Sequence, residues 1–259
     1  MKKIMLFAAV GLFAAFSMTS CSDDNNNNAE PKSFKVRMTD SPGNYAALNM
    51  TITGVDAYLD GQGWVNLSSQ TQTVNVASLT NGSEITIANA TNIQTGVYTH
   101  VRVKFSSTAS INVNATGSGS GFNFNLTWNV PQEIDIAIQQ EVTASTGANI
   151  LLDFNVAQSI IETGGNYFIQ PVITLVTNEN TGVKGHVSGA TTAAVVFSDG
   201  THTYSGYINA QGNFMIKGMA AGTYTCTVWY NSATDESHTV NNVVVTEGEI
   251  YSMGEITIN

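Results

Sequence analysis

Residues 34–45 read FKVRMTDSPGNY, and the two halves of this stretch follow different physical rules. In the first half Phe34, Val36 and Met38 alternate with Lys35, Arg37 and Thr39. Successive side chains of an extended strand point to opposite faces, so the pattern gathers three apolar groups on one face and polar groups on the other. In the second half Asp40-Ser41-Pro42-Gly43 has turn chemistry. An aspartate accepts backbone hydrogen bonds at the start of a turn, proline presets φ, and glycine supplies positive φ. A half-buried strand closed by a turn is the repeating unit of an antiparallel β protein.

The same alternation recurs along the chain, in Val101/Val103/Phe105, Phe122/Phe124/Leu126/Trp128, Ile134/Ile136/Ile138 and Ile150/Leu152/Phe154. Helical spacing is confined to Val156–Ile161, in NVAQSIIETG, with room for one turn before Gly164-Gly165. Many short strands between Gly, Asn and Ser turns predict an all-β chain of two β-sandwich domains in tandem, not a parallel α/β sheet. TNENTG, residues 177–182, is the one linker-like stretch between long strand patterns. The expected domains are therefore 34–177 and 183–259.

The first residues follow a third rule. Lys2 and Lys3 open the chain, residues 4–16 are apolar apart from Gly11, and Ser17, Thr19 and Ser20 are small. An apolar run this short cannot span a bilayer, which takes ~20 residues in a helix, so residues 1–20 are expected to be a cleaved secretory signal. Met18-Thr19-Ser20-Cys21 resembles a bacterial lipobox. That resemblance implies a diacylglycerol thioether on Cys21 and a membrane partner held through N-terminal acyl chains, since two or more chains anchor stably. Residues 21–33, with Ser22-Asp23-Asp24 and four asparagines, cannot bury apolar surface and read as the acylated cysteine with a polar tether. Ser22, Asp23 and Asp24 are either plain spacer or, by resemblance to Bacteroidetes-type lipoproteins, a surface-export signal. The expected location is the outer membrane, facing the cell surface or otherwise the periplasm.

Charge narrows the partners. Nine basic residues stand against nineteen acidic ones, and without Lys2 and Lys3 the net charge is −12. Nucleic acid is excluded as a partner by such a surface. The only cysteines are Cys21 and Cys226, and once Cys21 is acylated no disulfide is left, so stability must come from packed core. Cys226 alternates with Tyr224 and Val228 and reads as a small buried hydrophobe.

A catalytic constellation is not apparent. His100, His186, His202 and His238 are scattered without metal-ligand spacing, so neither a metal nor a cofactor is expected. GSGSG at 117–121 lacks the Gly-Lys-Ser/Thr end of a phosphate loop and has Gly119 where a nucleophile elbow has serine. It reads as a hairpin tip. Asp40, Asp56 and Asp153 would have to converge to hold calcium; single turn aspartates ordinarily cap backbone donors. Trp64, Trp128 and Tyr98 could offer stacking faces to sugars, but two of them lie in core phase, which favours burial.

Two family resemblances emerge from these motifs. Thr39-Asp40-Ser41-Pro42-Gly43-Asn44-Tyr45, Gly63-Trp64, Gly96 with Tyr98, Leu152-Asp153-Phe154, Ser159-Ile160 and Tyr167–Val172 resemble a lipoprotein domain of unknown function common in Bacteroidetes-type genomes. The resemblance marks Asp40, Pro42, Gly43, Tyr45 and Asp153 as motif residues without a role. Gly212, Phe214, Ile216, Gly218, Gly222, Thr223 and Tyr224 resemble the carboxypeptidase regulatory-like module, a transthyretin-like sandwich that stabilises or spaces and does not catalyse. The resulting expectation is a lipid-anchored, non-catalytic surface protein that binds a glycan or protein ligand or serves envelope structure. One alternative is a fimbrillin-like pilus or adhesin subunit, for which the resemblance implies cleavage after Arg37. The other is an enzyme whose site is assembled from loops.

Overall fold

The computed structural model describes residues 32–41, 45–113, 121–231 and 236–258, and it is built almost wholly of strands, as the alternation predicts. The first lobe contains β1 (Ser33–Ser41), β2 (Tyr45–Leu59), β3 (Gly63–Ser68), β4 (Gln72–Asn75), β5 (Ile85–Thr91), β6 (Gly96–Val113), β7 (Phe122–Asn125), β8 (Thr127–Trp128), β9 (Glu133–Val142) and β10 (Ala148–Asn155). After β10 come the single helical turn α1 (Val156–Ser159) and the short strands β11 (Ile160–Thr163), β12 (Asn166–Ile169) and β13 (Ile173–Leu175). The second lobe contains β14 (Gly182–Ser188), β15 (Ala194–Ser198), β16 (Thr203–Tyr207), β17 (Asn213–Lys217), β18 (Gly222–Asn231), β19 (Glu236–Val245) and β20 (Ile250–Thr257).

The opening strand lies inside its sheet. β1 pairs in parallel with β10 and antiparallel with β5, and β13 follows beyond β10. The other main sheet runs β3-β2-β6-β7, with β4 also on β2 and β9 on β6. Phe34, Val36 and Met38 are completely buried. They share one hydrophobic core with Met50 and Ile52 of β2, Val101 and Val103 of β6, and Ile150, Leu152 and Phe154 of β10. Burial of each such side chain contributes ~1.5–3 kcal/mol. β2 and β6 are 15 and 18 residues long. Their pairing shifts register around Ile52, and such bulges bend long strands around a core.

One alternating run does not make one strand. Phe122, Phe124, Leu126 and Trp128 were expected to share a buried face, yet Phe122 is 65% exposed while Leu126 is buried. β7 is the outer strand beside β6, with Phe122 at its end opposite Val113. The chain then leaves that sheet, and Trp128 in β8 pairs in parallel with Ile169 of β12. An outer strand's end lacks a covering sheet, which leaves its first apolar residue at the rim.

The second lobe packs the sheet β17-β14-β20 and the sheet β16-β15-β18-β19 about a separate core that includes Val183, Phe197, Phe214, Tyr224, Cys226 and Val228. Cys226 is completely buried, and burial pushes its thiol up to about 12. It packs as a small apolar group and is a poor nucleophile at neutral pH. The stretch 177–182 is pinned. The N–H groups of Gly218 and Met219 donate to the Thr181 carbonyl at 2.9 and 3.2 Å, and the Gly248 N–H donates to its hydroxyl at 2.8 Å.

Candidate functional site

The polar face of β1 builds the junction between the lobes. Arg37, opposite in phase to Val36 and Met38, places its guanidinium 2.5 Å from Glu84 and 2.7 Å from Glu179, and its Nε donates to the Asn149 side chain at 2.9 Å. The second carboxylate oxygen of Glu84 lies 2.6 Å from the Lys217 ammonium of β17. Glu84 thus bridges a cation of each lobe. Burial pushes Glu84 up, but hydrogen bonds from Lys217 and Arg37 outweigh it and hold the carboxyl below the usual range. These partly buried, doubly hydrogen-bonded pairs are better shielded than ordinary surface bridges.

Close approach at the junction depends on two glycines with positive φ. A β-carbon on Gly82 would lie 2.5 Å from the Met215 sulfur, and one on Gly218 would lie 2.8 Å from Val176. Gly82 follows Asn81, whose φ is also positive at 54°. The two residues form a left-handed turn that meets β17 of the other lobe.

The two motif aspartates stand at neighbouring levels of the β1–β10 pairing, on opposite faces of the sheet. Asp153 stands level with Thr39 across the parallel β1–β10 pairing, one residue from Asp40. Thr39 and Asp40 are each only 8% exposed. The Thr39 hydroxyl donates to the Ser83 carbonyl at 2.9 Å. Asp40 Oδ1 accepts a 3.4 Å bond from the Val156 N–H, while Oδ2 has no partner among the described residues. Burial, and secondarily the charge of Asp153, pushes the Asp40 carboxyl up to about 9, so it carries a proton at neutral pH. Both aspartates line a cavity of about 30 Å³, shared by Asn81 of the first lobe and by Ser205, Tyr207 and Lys217 of the second. Asp153 also lines an adjoining cleft of about 260 Å³ between the lobes, with Asn155, Gln158, Thr203, Tyr204 and Lys217. These side chains supply hydrogen-bond donors and acceptors on both walls.

Other candidate residues lie elsewhere. Asp56 does not join Asp40 and Asp153; it pairs with Lys104 at 2.5 Å and accepts a 2.8 Å bond from Asn66. Tyr45 opens β2, where burial and then the neighbouring Tyr167, Glu162 and Tyr207 raise its hydroxyl. Tyr98 is buried, Trp128 packs partly buried against the core, and Trp64 is 38% exposed. The Arg102 guanidinium lies over the Trp64 ring, 4.0 Å from its centre. Cys21, Ser22, Asp23, Asp24, Pro42, Gly43 and residues 117–120 of the glycine-rich run lie outside the described residues. Glu84, Lys217 and Asn81 were not singled out in the sequence, and no local motif marks them, because their partners come from distant strands. Among the described residues, no three His, Cys, Asp or Glu side chains group as a metal site.

Two known families match successive parts of the chain. Residues 33–171 match the family described as a domain of unknown function, DUF4382, over more than half of the chain. The chain belongs to the DUF4382 family. The DUF4382 region contains both motif aspartates, Arg37 and Glu84, and it stops just before the strand β13. Residues 179–251 match a second family, polysaccharide lyase family 4, domain II. No curated protein matches the chain. Among solved structures, a candidate adhesin from Bacteroides ovatus ATCC 8483 is 10% identical, with 96% of this chain and 95% of that one covered and a TM-score of 0.23. The major pilin protein of Streptococcus pyogenes is 9% identical, with 87% and 96% covered and a TM-score of 0.20. The shaft pilin of Lactobacillus rhamnosus GG is 12% identical, with 87% and 98% covered and a TM-score of 0.21. With TM-scores this low, nothing about activity passes from these proteins to this DUF4382 chain.

Proposed function

We propose that this DUF4382 protein is a lipid-anchored, non-catalytic protein of the outer membrane, exposed at the cell surface, whose paired β lobes serve in binding. The observation that carries the binding role is the polar cleft of about 260 Å³ between the lobes. Hydroxyl, amide and charged groups on both walls suit a hydroxyl-rich ligand, with the glycan class favoured over an apolar one. The match of residues 179–251 to a domain named for a polysaccharide lyase family supports the same choice. The anchor rests on Met18-Thr19-Ser20-Cys21 and the acidic tether that follows. The C-terminal lobe acts as a stabilising or spacing module of the carboxypeptidase regulatory-like kind.

The pilus reading needs the chain to be cut after Arg37. The side chain of that arginine is only 13% exposed and is tied to Glu84, Glu179 and Asn149, an arrangement that supports an uncut chain. Cys21→Ala is expected to abolish incorporation of labelled palmitate and to release the protein from membranes. A variant that still labels and still sediments with membranes contradicts the anchor.

A further inference from the structure

We propose that a second cleft, on the outer face of the sheet β17-β14-β20, binds the carboxylate of an acidic sugar. β14 and β17 pair in regular register, with Lys184 level with Met215 and His186 level with Asn213. Their neighbours Val183, Val187, Phe214 and Ile216 are buried in the core, so Lys184, His186, Asn213 and Met215 share the opposite, outward face. The Asn81–Gly82 turn of the first lobe closes down on Met215 and covers one end of this face. Beside it remains a cleft of about 360 Å³, walled by Asn81 on one side and by Ser252 and Gly254 of β20 on the other. That volume lies within the ~300–1,000 Å³ of small-ligand sites, and the cleft shares no lining residue with the one of about 260 Å³ between the lobes.

The lining selects an anion that also carries hydroxyl groups. Arg37, Arg102, Lys104 and Lys217 are each held by a carboxylate, whereas the exposed Lys184 ammonium has no ion pair or hydrogen bond among the described residues. No aspartate or glutamate lines the cleft, and Glu255, level with His186 on β20, stays outside it. In a chain with nineteen acidic residues and nine basic ones, an unpaired cation in such a cleft reverses the local charge. The imidazole beside it is fixed: its Nδ1 lies 3.1 Å from the Asn213 side-chain oxygen. Gly212, at φ 79°, makes room for the ring, since a β-carbon there would come within 2.8 Å of His186 Cε1. With Nδ1–H donating to that oxygen, Nε2 is an acceptor and the Asn213 amide N–H groups are donors. A carboxylate on Lys184, with sugar hydroxyls on His186 Nε2, the Asn213 amide and the Ser252 hydroxyl, uses all of these groups. A neutral sugar leaves the ammonium unused, and an apolar ligand leaves the polar lining unpaired.

The test is NMR titration of the mature chain with sodium D-glucuronate, with D-glucose and sodium chloride at equal concentration as controls. The His186 imidazole signals, assigned by their loss in His186→Gln, are expected to shift and saturate with glucuronate at a dissociation constant of ~1 mM, and to stay in place with both controls. Lys184→Ala removes a charge-assisted contact and should weaken binding ~10-fold or more. Lys184→Arg, which stays charged, should retain most of the affinity, and Ser252→Ala should cost a few-fold. Lys184 is exposed, so its replacement leaves the fold intact, and an unchanged circular dichroism spectrum checks this. Absence of any shift up to ~50 mM glucuronate, far above the expected constant, overturns the site, and so does a shift matched by glucose or by sodium chloride. An affinity unchanged in Lys184→Ala places the sugar elsewhere and overturns it as well, while leaving the reading of the cleft of about 260 Å³ untouched.

Discussion

A chain that begins at Met38 is expected not to fold as a monomer. Its missing residues include Phe34 and Val36, both completely buried in the first core, and their burial alone is worth ~3–6 kcal/mol together. The cut also removes half of the strand that lies between β10 and β5, leaving backbone donors and acceptors of both neighbours unpaired. Arg37, which holds Glu84 and Glu179, is lost as well. A domain has ~5–15 kcal/mol of stability in total, so losses of this size reach the whole of it. Urea unfolding followed by circular dichroism checks the result. A cooperative transition in monomeric protein starting at Met38 contradicts the central place given to β1, whereas a ladder of strand-filled oligomers points to the pilus mode of strand addition.

The second large effect is expected from Asp40→Asn, and it is stabilising. Folding raises the Asp40 carboxyl from 3.8 to about 9, so between those values the folded chain binds a proton that the unfolded chain does not. Stability contributed by that proton is complete below the unfolded value, is progressively lost as pH rises, and is gone above about 9. Asparagine keeps the shape and an acceptor for the Val156 N–H without titrating. At about pH 8 the variant should therefore be more stable than wild type by ~2–4 kcal/mol, with the gap closing toward pH 4. Urea midpoints at acidic and mildly alkaline pH measure the gap. An asparagine variant that is less stable at the alkaline end, or that keeps the wild-type slope, contradicts the burial assigned to this carboxyl.

What could be read from the sequence was local. The inward phase of Phe34, Val36 and Met38, the buried thiol of Cys226 and the single helical turn at Val156 each follow from neighbours within a few residues. Pairing was not legible. Asp40 and Asp153 come to neighbouring levels of one sheet because β1 and β10 run in parallel and in a particular register, and nothing in either segment specifies the other. Glu84 lies in a stretch with no motif and Lys217, 133 residues away, at an unmarked position within one, so the ion bridge between the lobes had no local sign. Arg37 stood out in the sequence only as a cleavage candidate, and the structure makes it a hub of three side-chain contacts. Asp56 looked equivalent to the other aspartates until Lys104 and Asn66, from the strands beside it, claimed its two oxygens. The run ending in Trp128 misled for a related reason: alternation reports which side chains share a face, not whether one strand carries them all.

The proposed function joins a lipid anchor at Cys21 to an uncut first strand, and N-terminal mapping by mass spectrometry of protein extracted from its native envelope examines both together. The account predicts a mature chain that begins at acylated Cys21 and runs intact through Arg37. Mature chains that begin at Met38, recovered from sheared fibres, would contradict it.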